Sequence, residues 1–281
     1  MSLALGYICT MNLRYCDLGR VPYKEAWDLQ ESFRTQRIEG RIPDTLLLLE
    51  HPPVITLGRR ASEGDILLDF EKLRSLGVEV IRIDRGGEVT YHGPGQLVGY
   101  LIFHLSVTQG SVKRFVYLLE EALILTLSHW GIEAHRHPAH RGVWVGTEKI
   151  AALGLSVSHQ VTTHGFALNV SPDLTAFRWI VPCGIKEAGV TSMERLLKRP
   201  VKIEEVKLIV LQELIETFGF TDSIPLEIPD IEGSALKDHP SNGVALNPSG
   251  PSITMEGFQE PRAAKEIPAP SETSHYRSSD V

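Results

Sequence analysis

Two residues of opposite chemical character, a lysine and a cysteine, lie near the two ends of the segment 142–186. Lys149 stands between a predicted short strand at Val143–Val145 and an apolar run, and Cys183 stands between a proline and a glycine. Proline fixes φ and glycine permits unusual φ values, so this turn is suited to presenting a sulfur atom to a pocket. Cysteine is nucleophilic as its thiolate, and a nearby ammonium group lowers the ordinary thiol pKa of about 8.5. The pair therefore fits nucleophilic catalysis, although a cysteine packed in the core and a solvated lysine are the commoner roles of such residues.

A glycine-rich segment, RGGEVTYHGPGQ at 85–96, follows a predicted strand. Glycines let a backbone approach a ligand where a Cβ atom would collide. A tight turn in a β-protein needs the same glycines but does not need Arg85 and His92 beside them, so a binding loop and a plain turn both stay open. The segment matches neither the phosphate-binding loop GxxxxGK[ST] nor the dinucleotide fingerprint GxGxxG.

Histidines elsewhere in the chain offer a weaker signal. HRHPAH at 135–140 places three histidines within six residues. It has neither a set of cysteine partners nor an HExxH motif, and Pro138 interrupts any helical face, so no metal site is predicted. His51 precedes two prolines and is predicted to be a turn residue.

Hydrophobic periodicity predicts helices and strands in irregular order. Strands are expected at 13–18, on both sides of His51 and at 78–84, and the absence of a regular βαβα alternation favours an α+β fold with a mixed β-sheet flanked by helices. Apolar residues at helical spacing, with Pro22, Ser111 and Gly219 at helix ends, predict helices. Their predicted ranges are 22–39, 66–77, 111–130 and 203–218.

Length and composition limit the function classes. The 281 residues, 42% of them hydrophobic, are enough for one large domain, and a net charge of −7 argues against a nucleic-acid partner. Three cysteines are too few for a disulfide framework, no apolar run is long enough to span a membrane, and the N-terminus has no basic leader. These features predict a cytoplasmic location with no membrane association.

The composition of the C-terminal part predicts how the chain is divided. Residues 221–281 contain eight prolines and nine serines without apolar periodicity, and are predicted to be a disordered tail. The tail follows a predicted domain at 13–220, which is preceded by a short extension at 1–12.

Three motifs in one order resemble the octanoyltransferases of lipoate biosynthesis, the lipoyl(octanoyl) transferase family. They are RGGEVTYHGPGQ at 85–96, KIAALG at 149–154, and THGFALNV with PCGI between 163 and 185. The resemblance covers about 13–220. It implies the fold of the biotin and lipoate protein ligase catalytic domain. It also implies that octanoyl-acyl carrier protein donates an octanoyl group to a lysine of lipoyl domains, in E2 subunits of 2-oxoacid dehydrogenases or in the glycine-cleavage H protein.

The resemblance also implies roles for individual residues. Cys183 would carry the acyl group as a thioester, and Lys149 would lower the thiol pKa and move its proton. Glu88 stands where glutamine is common in the family, which affects one contact and not the chemistry. No cofactor and no metal are expected. The implied substrate-binding residues are Arg85, Gly86, Gly87, Glu88, Val89, Thr90, Tyr91, His92, Ala152, Leu153, Gly154, His164, Gly165, Phe166 and Ala167.

Three other functions remain compatible with the sequence. An ATP-dependent lipoate or biotin ligase on the same fold would activate a free acid and need no cysteine. A cysteine–histidine hydrolase would pair the thiol with His164 or His92 and release free octanoate. A non-catalytic acyl-binding module would hold an octanoyl group without forming a bond to it.

Overall fold

The structure, a computed structural model, describes residues 11–181 and 189–226. The described strands are β1 Asn12–Arg20, β2 Asp44–Glu50, β3 Val54–Leu57, β4 Glu79–Arg82, β5 Val89–His92, β6 Gln96–Ile102, β7 His135–Arg136, β8 Val143–Val145, β9 Glu148–Ser158, β10 Val161–Asn169, β11 Gly189–Val190 and β12 Asp222–Pro225. The described helices are α1 Tyr23–Ile38, α2 Phe70–Ser75, α3 Val112–Ser128, α4 Met193–Leu197 and α5 Ile203–Phe218.

A large mixed sheet forms the centre of the molecule. Its strands run in the order β12-β1-β2-β6-β10-β9-β8-β7, and β11 pairs with β9 outside this path. The β12–β1, β1–β2 and β9–β11 pairs are parallel, whereas β2–β6, β6–β10, β10–β9, β9–β8 and β8–β7 are antiparallel. The mixed pairing confirms the α+β class predicted from the irregular order of helices and strands.

Both faces of the central sheet are covered, which explains the unbroken apolar run of β2. Leu46 and Leu48 point into the core that also contains residues of α3 and α5, and Leu47 and Leu49 point into the core beside α1. Successive side chains of a strand face opposite sides of the sheet, so a strand buried on both sides is apolar at every position. Helix α1 therefore covers one face of the central sheet, and α3 and α5 cover the other.

The ends of the three long helices agree closely with the sequence signals, whereas α2 begins at Phe70, after its N-cap Asp69, four residues later than predicted. The predicted range of α5 is identical to the observed one, and Gly219 ends this helix with a left-handed φ of 75°. The side chain of Ser111 accepts a hydrogen bond from the backbone N–H of Arg114 at the start of α3. Pro22 precedes α1 with a φ of −52°, which suits the first turn of a helix.

A second, smaller sheet lies beside the central one. It has the order β4-β3-β5, with β3 parallel to β4 and antiparallel to β5. The short segment between β4 and β5 contains Arg85 and two glycines, and the backbone N–H of Gly86 donates to the carbonyl of Leu155 in β9 at 2.9 Å. This bond fixes the glycine-rich segment against the central sheet.

The described structure continues past the predicted domain boundary at residue 220. Residues 222–225 form β12, which pairs in parallel with β1, and the backbone N–H of Leu226 donates to the carbonyl of Tyr15 at 2.7 Å. The first residues of the predicted tail therefore complete an edge of the sheet. Residues 1–10 and 227–281, on which the extension and the rest of the tail were predicted, lie outside the described residues.

Candidate active site

A cavity lies between the glycine-rich segment and the face of the central sheet that α1 covers. The predicted substrate-binding residues line it, except Gly86 and Tyr91. Gly86 instead donates its N–H to β9, and the ring of Tyr91 packs edge-on against Phe177 and Trp179 on the other side of β5. The lining residues are Tyr23, Arg85, Gly87, Glu88, Val89, Thr90, His92, Val98, Tyr100, Ala152, Leu153, Gly154, His164, Gly165, Phe166 and Ala167.

Two glycines let β6 and β10 pack closely beside this cavity. A Cβ atom at Gly165 would lie 2.2 Å from the carbonyl oxygen of Gly99, and one at Gly99 would lie 2.1 Å from the ring of Phe166. Phe166 borders the cavity, but its ring belongs to the core on the α3 and α5 face. This part of the cavity wall has no large side chains, because it is formed by Gly165 and Ala167 of β10 and by their pairing partners in β9, Gly154 and Ala152.

Arg85 anchors the glycine-rich segment to β3. Its guanidinium donates to the backbone carbonyl and to the hydroxyl of Thr56, at 3.0 and 2.9 Å, and to the carbonyl of Gly86 at 3.0 Å. A Cβ atom at Gly154 would lie 3.1 Å from Cδ of Arg85, so a larger residue at this position of β9 would crowd the arginine side chain. Arg85 thus has a structural role in addition to bordering the cavity.

A series of hydrogen bonds leads from His92 to Thr191, the residue after β11. Nδ1 of His92 is 2.7 Å from Oε1 of Gln96, whose Nε2 donates to Oδ1 of Asn169 at 2.9 Å. Nδ2 of Asn169 in turn donates to the carbonyl of Thr191 at 3.0 Å. Burial, together with the neighbouring His51, lowers the pKa of His92 to about 3, so His92 is neutral at pH 7. The side-chain atoms that link His92 to Thr191 therefore each have a defined donor or acceptor role.

Two tyrosines and a histidine form a second buried network that sequence reasoning missed. Nδ1 of His51 is 2.7 Å from the carbonyl oxygen of Val21 and therefore carries the ring proton. Nε2 of His51 accepts from the hydroxyl of Tyr100 at 2.6 Å. The hydroxyl of Tyr100 is also bonded to that of Tyr23, which therefore donates to it. Burial raises the pKa of both tyrosines, so both lining hydroxyls stay protonated.

The sequence gives little sign of this network because its members lie far apart along the chain. His51 was predicted to be a turn residue, and it does follow β2 directly, but its side chain is fully buried. Tyr23 is the first residue of α1, where helical periodicity alone cannot distinguish a tyrosine that donates a hydrogen bond from one that only packs. The burial of a histidine with both ring nitrogens bonded depends on contacts that form only on folding.

The burial of His51 predicts that acid destabilises the fold. Burial lowers its pKa to about 4 from 6.5, so between these values the unfolded chain binds a proton that the folded chain does not. The stabilising contribution is complete above pH 6.5 and is lost as pH falls toward 4. In urea unfolding from pH 7 to 4.5, we expect His51→Gln to reduce the slope of the unfolding free energy against pH by up to about 1.4 kcal/mol per unit. His159→Gln, at an exposed turn, is the control, and a slope unchanged by His51→Gln would contradict the assignment.

His164 is held in an unusual position at the cavity wall. Its φ is +59°, in the left-handed region, and its backbone N–H donates to Oε1 of the buried Gln30 of α1 at 2.7 Å. Nε2 of His164 is 3.0 Å from Oδ1 of Asp84, and Oδ2 of Asp84 accepts from the hydroxyl of Ser156 at 2.8 Å. The hydrogen bond from His164 lowers the pKa of Asp84, which is therefore ionised at neutral pH.

Lys149 lies at the start of β9, three residues before the cavity wall. It is 9% exposed, and its Nζ lies over the ring of Trp144 at 5.0 Å from the ring centroid. A Cβ atom at Gly142 would lie 3.2 Å from Cε of Lys149, so the glycine provides room for the lysine side chain. The carbonyl of Lys149 accepts from the N–H of Thr191 at 3.0 Å, which joins the lysine backbone to the chain that follows 182–188.

A buried carboxylate contributes to the electrostatics around Lys149. Glu120 of α3 accepts from the N–H of Gly142 at 3.0 Å and lies 3.4 Å from Nε of Arg136. Burial raises the pKa of Glu120, and the positive charges of Arg136, Arg141 and Lys149 act in the opposite direction. Lys149 is thus largely buried and interacts electrostatically with the carboxylate of Glu120.

Cys183 falls in the stretch 182–188, outside the described residues. Hydrogen bonds fix the chain on either side of this stretch. The N–H of Val181 donates to the carbonyl of Asp65 at 2.8 Å, and Gly189 pairs with Glu148, next to Lys149, across β11 and β9. The residues that follow the stretch therefore join the same strand that carries Lys149.

Two histidines of the HRHPAH segment pack against an aromatic ring in the described structure. The rings of His137 and His140 lie beside that of Trp144, at centroid distances of 4.9 and 6.2 Å. Among the residues described, no group of three or more histidine, cysteine or acidic side chains is arranged to hold a metal ion. Within the same residues, no helix has the length and apolarity to cross a membrane.

Comparison with known proteins gives consistent matches. The family described as the lipoyl protein ligase A/B catalytic domain matches residues 22–215. An octanoyltransferase of Caldicellulosiruptor bescii is 54% identical over 198 residues, which cover 70% of this chain and 87% of that protein. An octanoyltransferase of Caldicellulosiruptor saccharolyticus is 49% identical over 211 residues, covering 74% and 90% of the two chains.

A solved structure resembles the fold. The crystal structure of a lipoate-protein ligase A bound with ATP superimposes with a TM-score of 0.66 at 16% identity, covering 79% of this chain and 92% of the ligase. At this identity the likeness concerns the fold alone, and it confirms the helix-flanked mixed sheet expected for a lipoate ligase catalytic domain.

Proposed function

Since the chain belongs to the lipoyl protein ligase A/B catalytic-domain family and, within it, to the octanoyltransferases, which are acyltransferases, we propose the following reaction. The enzyme takes an octanoyl group from octanoyl-acyl carrier protein, carries it as a thioester on Cys183, and passes it to a lysine of a lipoyl domain. The acceptors are E2 subunits of 2-oxoacid dehydrogenases and the glycine-cleavage H protein.

One observation supports this proposal above the others. The glycine-rich segment encloses one cavity together with β9 and β10, which lie far from it in sequence, and Lys149 is the second residue of β9. This supports the proposal, because β9 would carry both a part of the proposed acyl-binding wall and the proposed basic residue.

The first half-reaction exchanges one thioester for another. Lys149 takes the thiol proton of Cys183, and the thiolate attacks the octanoyl carbonyl of the carrier-protein thioester. The carbon–sulfur bond to the phosphopantetheine breaks, and its thiolate leaves with the proton from Lys149. The products are an octanoyl-enzyme, a free carrier-protein thiol and a neutral Lys149.

In the second half-reaction, the amine of the acceptor lysine attacks the octanoyl-enzyme. The bond to Cys183 breaks, an amide forms, and Lys149 takes a proton from the attacking nitrogen. Conversion of a thioester to an amide is downhill, so the scheme needs no ATP. Backbone N–H groups of Ala152–Gly154, or beside Cys183, would stabilise the oxyanion. Ala152–Gly154 lie beyond Ala151, the last residue of β9 that pairs with β8.

The apolar lining suits a medium-length acyl chain. Val98, Ala152 and Ala167 line the cavity beside Gly154 and Gly165. At about 0.8 kcal/mol for each buried CH₂ group, an octanoyl chain gains roughly 5 kcal/mol from burial. The cavity therefore gives a physical reason for binding the acyl chain before any bond to the enzyme forms.

A donor comparison tests this function. The enzyme is mixed with a lipoyl domain and either octanoyl-acyl carrier protein without ATP, or free octanoate with ATP, and the intact mass of the lipoyl domain is followed. We expect octanoylation only in the first mixture. Octanoylation only in the second would identify an ATP-dependent ligase. Free octanoate without acylated lipoyl domain would identify a hydrolase, and binding without any covalent product an acyl-binding module.

A further inference from the structure

The cavity crosses three neighbouring strands of the central sheet, from β9 through β10 to β6. Two rows of paired residues line it, and each row has one member from each strand. The rows are Gly154, Gly165 and Tyr100, and Ala152, Ala167 and Val98. Neighbouring strands lie about 4.8 Å apart, so the distance from β9 to β6 is roughly 9.5 Å.

The two ends of these rows differ in exposure. At the β9 end, Ala152–Gly154 are half-buried, whereas Val98 and Tyr100 at the β6 end are buried. The cavity therefore opens beside β9 and is closed at β6. Lys149 also lies in β9, and β11, which follows the stretch that contains Cys183, pairs with β9. In the proposed reaction the thioester thus lies at the β9 end, and the acyl chain extends toward β6.

Aromatic rings close the β6 end. Tyr23, His92 and Tyr100 line the cavity there, and together they are called the end wall. The ring of His51 lies behind them, fully buried, with centroid distances of 4.9, 5.8 and 5.9 Å to these three rings. A chain that reaches the end wall therefore meets a second layer of packed side chain and not solvent.

Hydrogen bonds hold the end wall in place. The hydroxyl of Tyr23 donates to that of Tyr100, which donates to Nε2 of His51 at 2.6 Å. Nδ1 of His51 donates in turn to the carbonyl of Val21 at 2.7 Å. Movement of either tyrosine ring would leave buried polar groups without partners, which is unfavourable. The end wall is therefore fixed, and it does not adapt easily to a longer ligand.

We propose that Tyr100 and Tyr23, held by His51, set the length of the acyl chain that the enzyme accepts. This inference rests on the proposed function and adds chain-length selection to it. Tyr100 and Tyr23 are then specificity-determining residues, which touch the terminal methyl group of the substrate and take no part in the chemical step.

The length of an octanoyl group agrees with this position of the end wall. Carbon–carbon bonds of about 1.5 Å at angles near 111° advance an extended chain by about 1.25 Å each, so eight carbons span about 9 Å. This matches the roughly 9.5 Å between β9 and β6. A decanoyl chain would have to displace the rings. A hexanoyl chain would leave the space before them empty and lose the burial of two CH₂ groups, a loss of about tenfold in affinity.

Competition among acyl donors tests this role. The enzyme is mixed with equal amounts of hexanoyl-, octanoyl-, decanoyl- and dodecanoyl-acyl carrier protein, and the initial rates of acyl-enzyme formation are measured together by intact mass. In the wild type we expect the octanoyl adduct to dominate, with the decanoyl adduct formed about tenfold more slowly or less, because a longer chain overpacks the closed end.

Variants of the end wall should change the ratio of products. Tyr100→Ala and Tyr23→Ala each remove a ring, and we expect the decanoyl-to-octanoyl ratio to rise by about tenfold or more. Tyr100→Phe keeps the ring and should keep the wild-type ratio. Val98→Phe places a ring in front of the end wall and should favour the hexanoyl adduct. Loss of folded enzyme lowers all adducts together, so it leaves these ratios unchanged.

A buried tyrosine on the opposite face of the sheet provides the matched control. Tyr15 of β1 lies in the core beside α3 and α5, so Tyr15→Ala loses a comparable ring and should keep the wild-type ratio. Equal rates for the octanoyl, decanoyl and dodecanoyl adducts in the wild type, or an unchanged ratio in both Tyr100→Ala and Tyr23→Ala, would overturn the proposal. A shift of the same size in Tyr15→Ala or Tyr100→Phe would also overturn it. Failure of the wild type to form an adduct with any donor would instead refute the proposed function.

Discussion

Replacement of Cys183 by alanine is expected to abolish both octanoyl-enzyme formation and octanoyl transfer, by on the order of 10³-fold or more. The proposed reaction passes through a bond to this sulfur, and alanine removes the nucleophile while leaving a residue of similar size. The measurement is intact mass spectrometry of the enzyme with octanoyl-acyl carrier protein and no ATP, with the adduct mapped by peptide analysis and tested for cleavage by hydroxylamine.

Cys16 provides the matched control for this experiment. It lies in β1 within the α1-side core, and burial raises the pKa of its thiol to about 12. A thiol with so high a pKa is almost entirely protonated at pH 7 and unreactive. Cys16→Ala should therefore still form the adduct. An adduct that persists in Cys183→Ala would show that the acyl group is carried elsewhere.

Replacement of Lys149 by methionine is expected to slow octanoyl-enzyme formation by about 10²- to 10⁴-fold at pH 7. Without the lysine, Cys183 ionises with an ordinary thiol pKa of about 8.5, so the variant's rate should rise about tenfold per pH unit below that value. The wild-type rate should rise less steeply. The gap between the two enzymes therefore narrows as pH increases, which is measured by rapid-quench intact mass at pH 6.5 to 8.5.

Lys149→Arg separates the charge of Lys149 from its proton transfer. Arginine keeps a cation in place but is not deprotonated in proteins, so it cannot act as a base. We expect this variant to form the octanoyl-enzyme faster than Lys149→Met and to remain defective in transfer to the lipoyl domain. Lys202→Met, at an exposed lysine before α5, should match the wild type. Equal rates for Lys149→Met and the wild type would exclude the proposed role.

Local signals explain why so much of the fold could be predicted. The limits of α5 follow from a proline-free apolar stripe and a terminal glycine, and Ser111 fixes the start of α3 through one hydrogen bond. These determinants lie within a few residues of the element that they specify. The short strand β12 has no such signal, because its pairing with β1 joins residues more than 200 positions apart, which explains the difference at residue 220.

The sequence by itself determined the α+β class, the main helices, the motifs that resemble the octanoyltransferases and most residues of the cavity wall. Motifs are contiguous in the chain, so the residue types that a ligand site needs can be read directly. Tertiary structure alone decided that Tyr23, Tyr100 and His51 form one buried network, and that Asp84 faces His164 from 80 positions away. The proton positions and pKa values of these groups depend on burial and on distant hydrogen-bond partners, which exist only once the sheet and α1 enclose them.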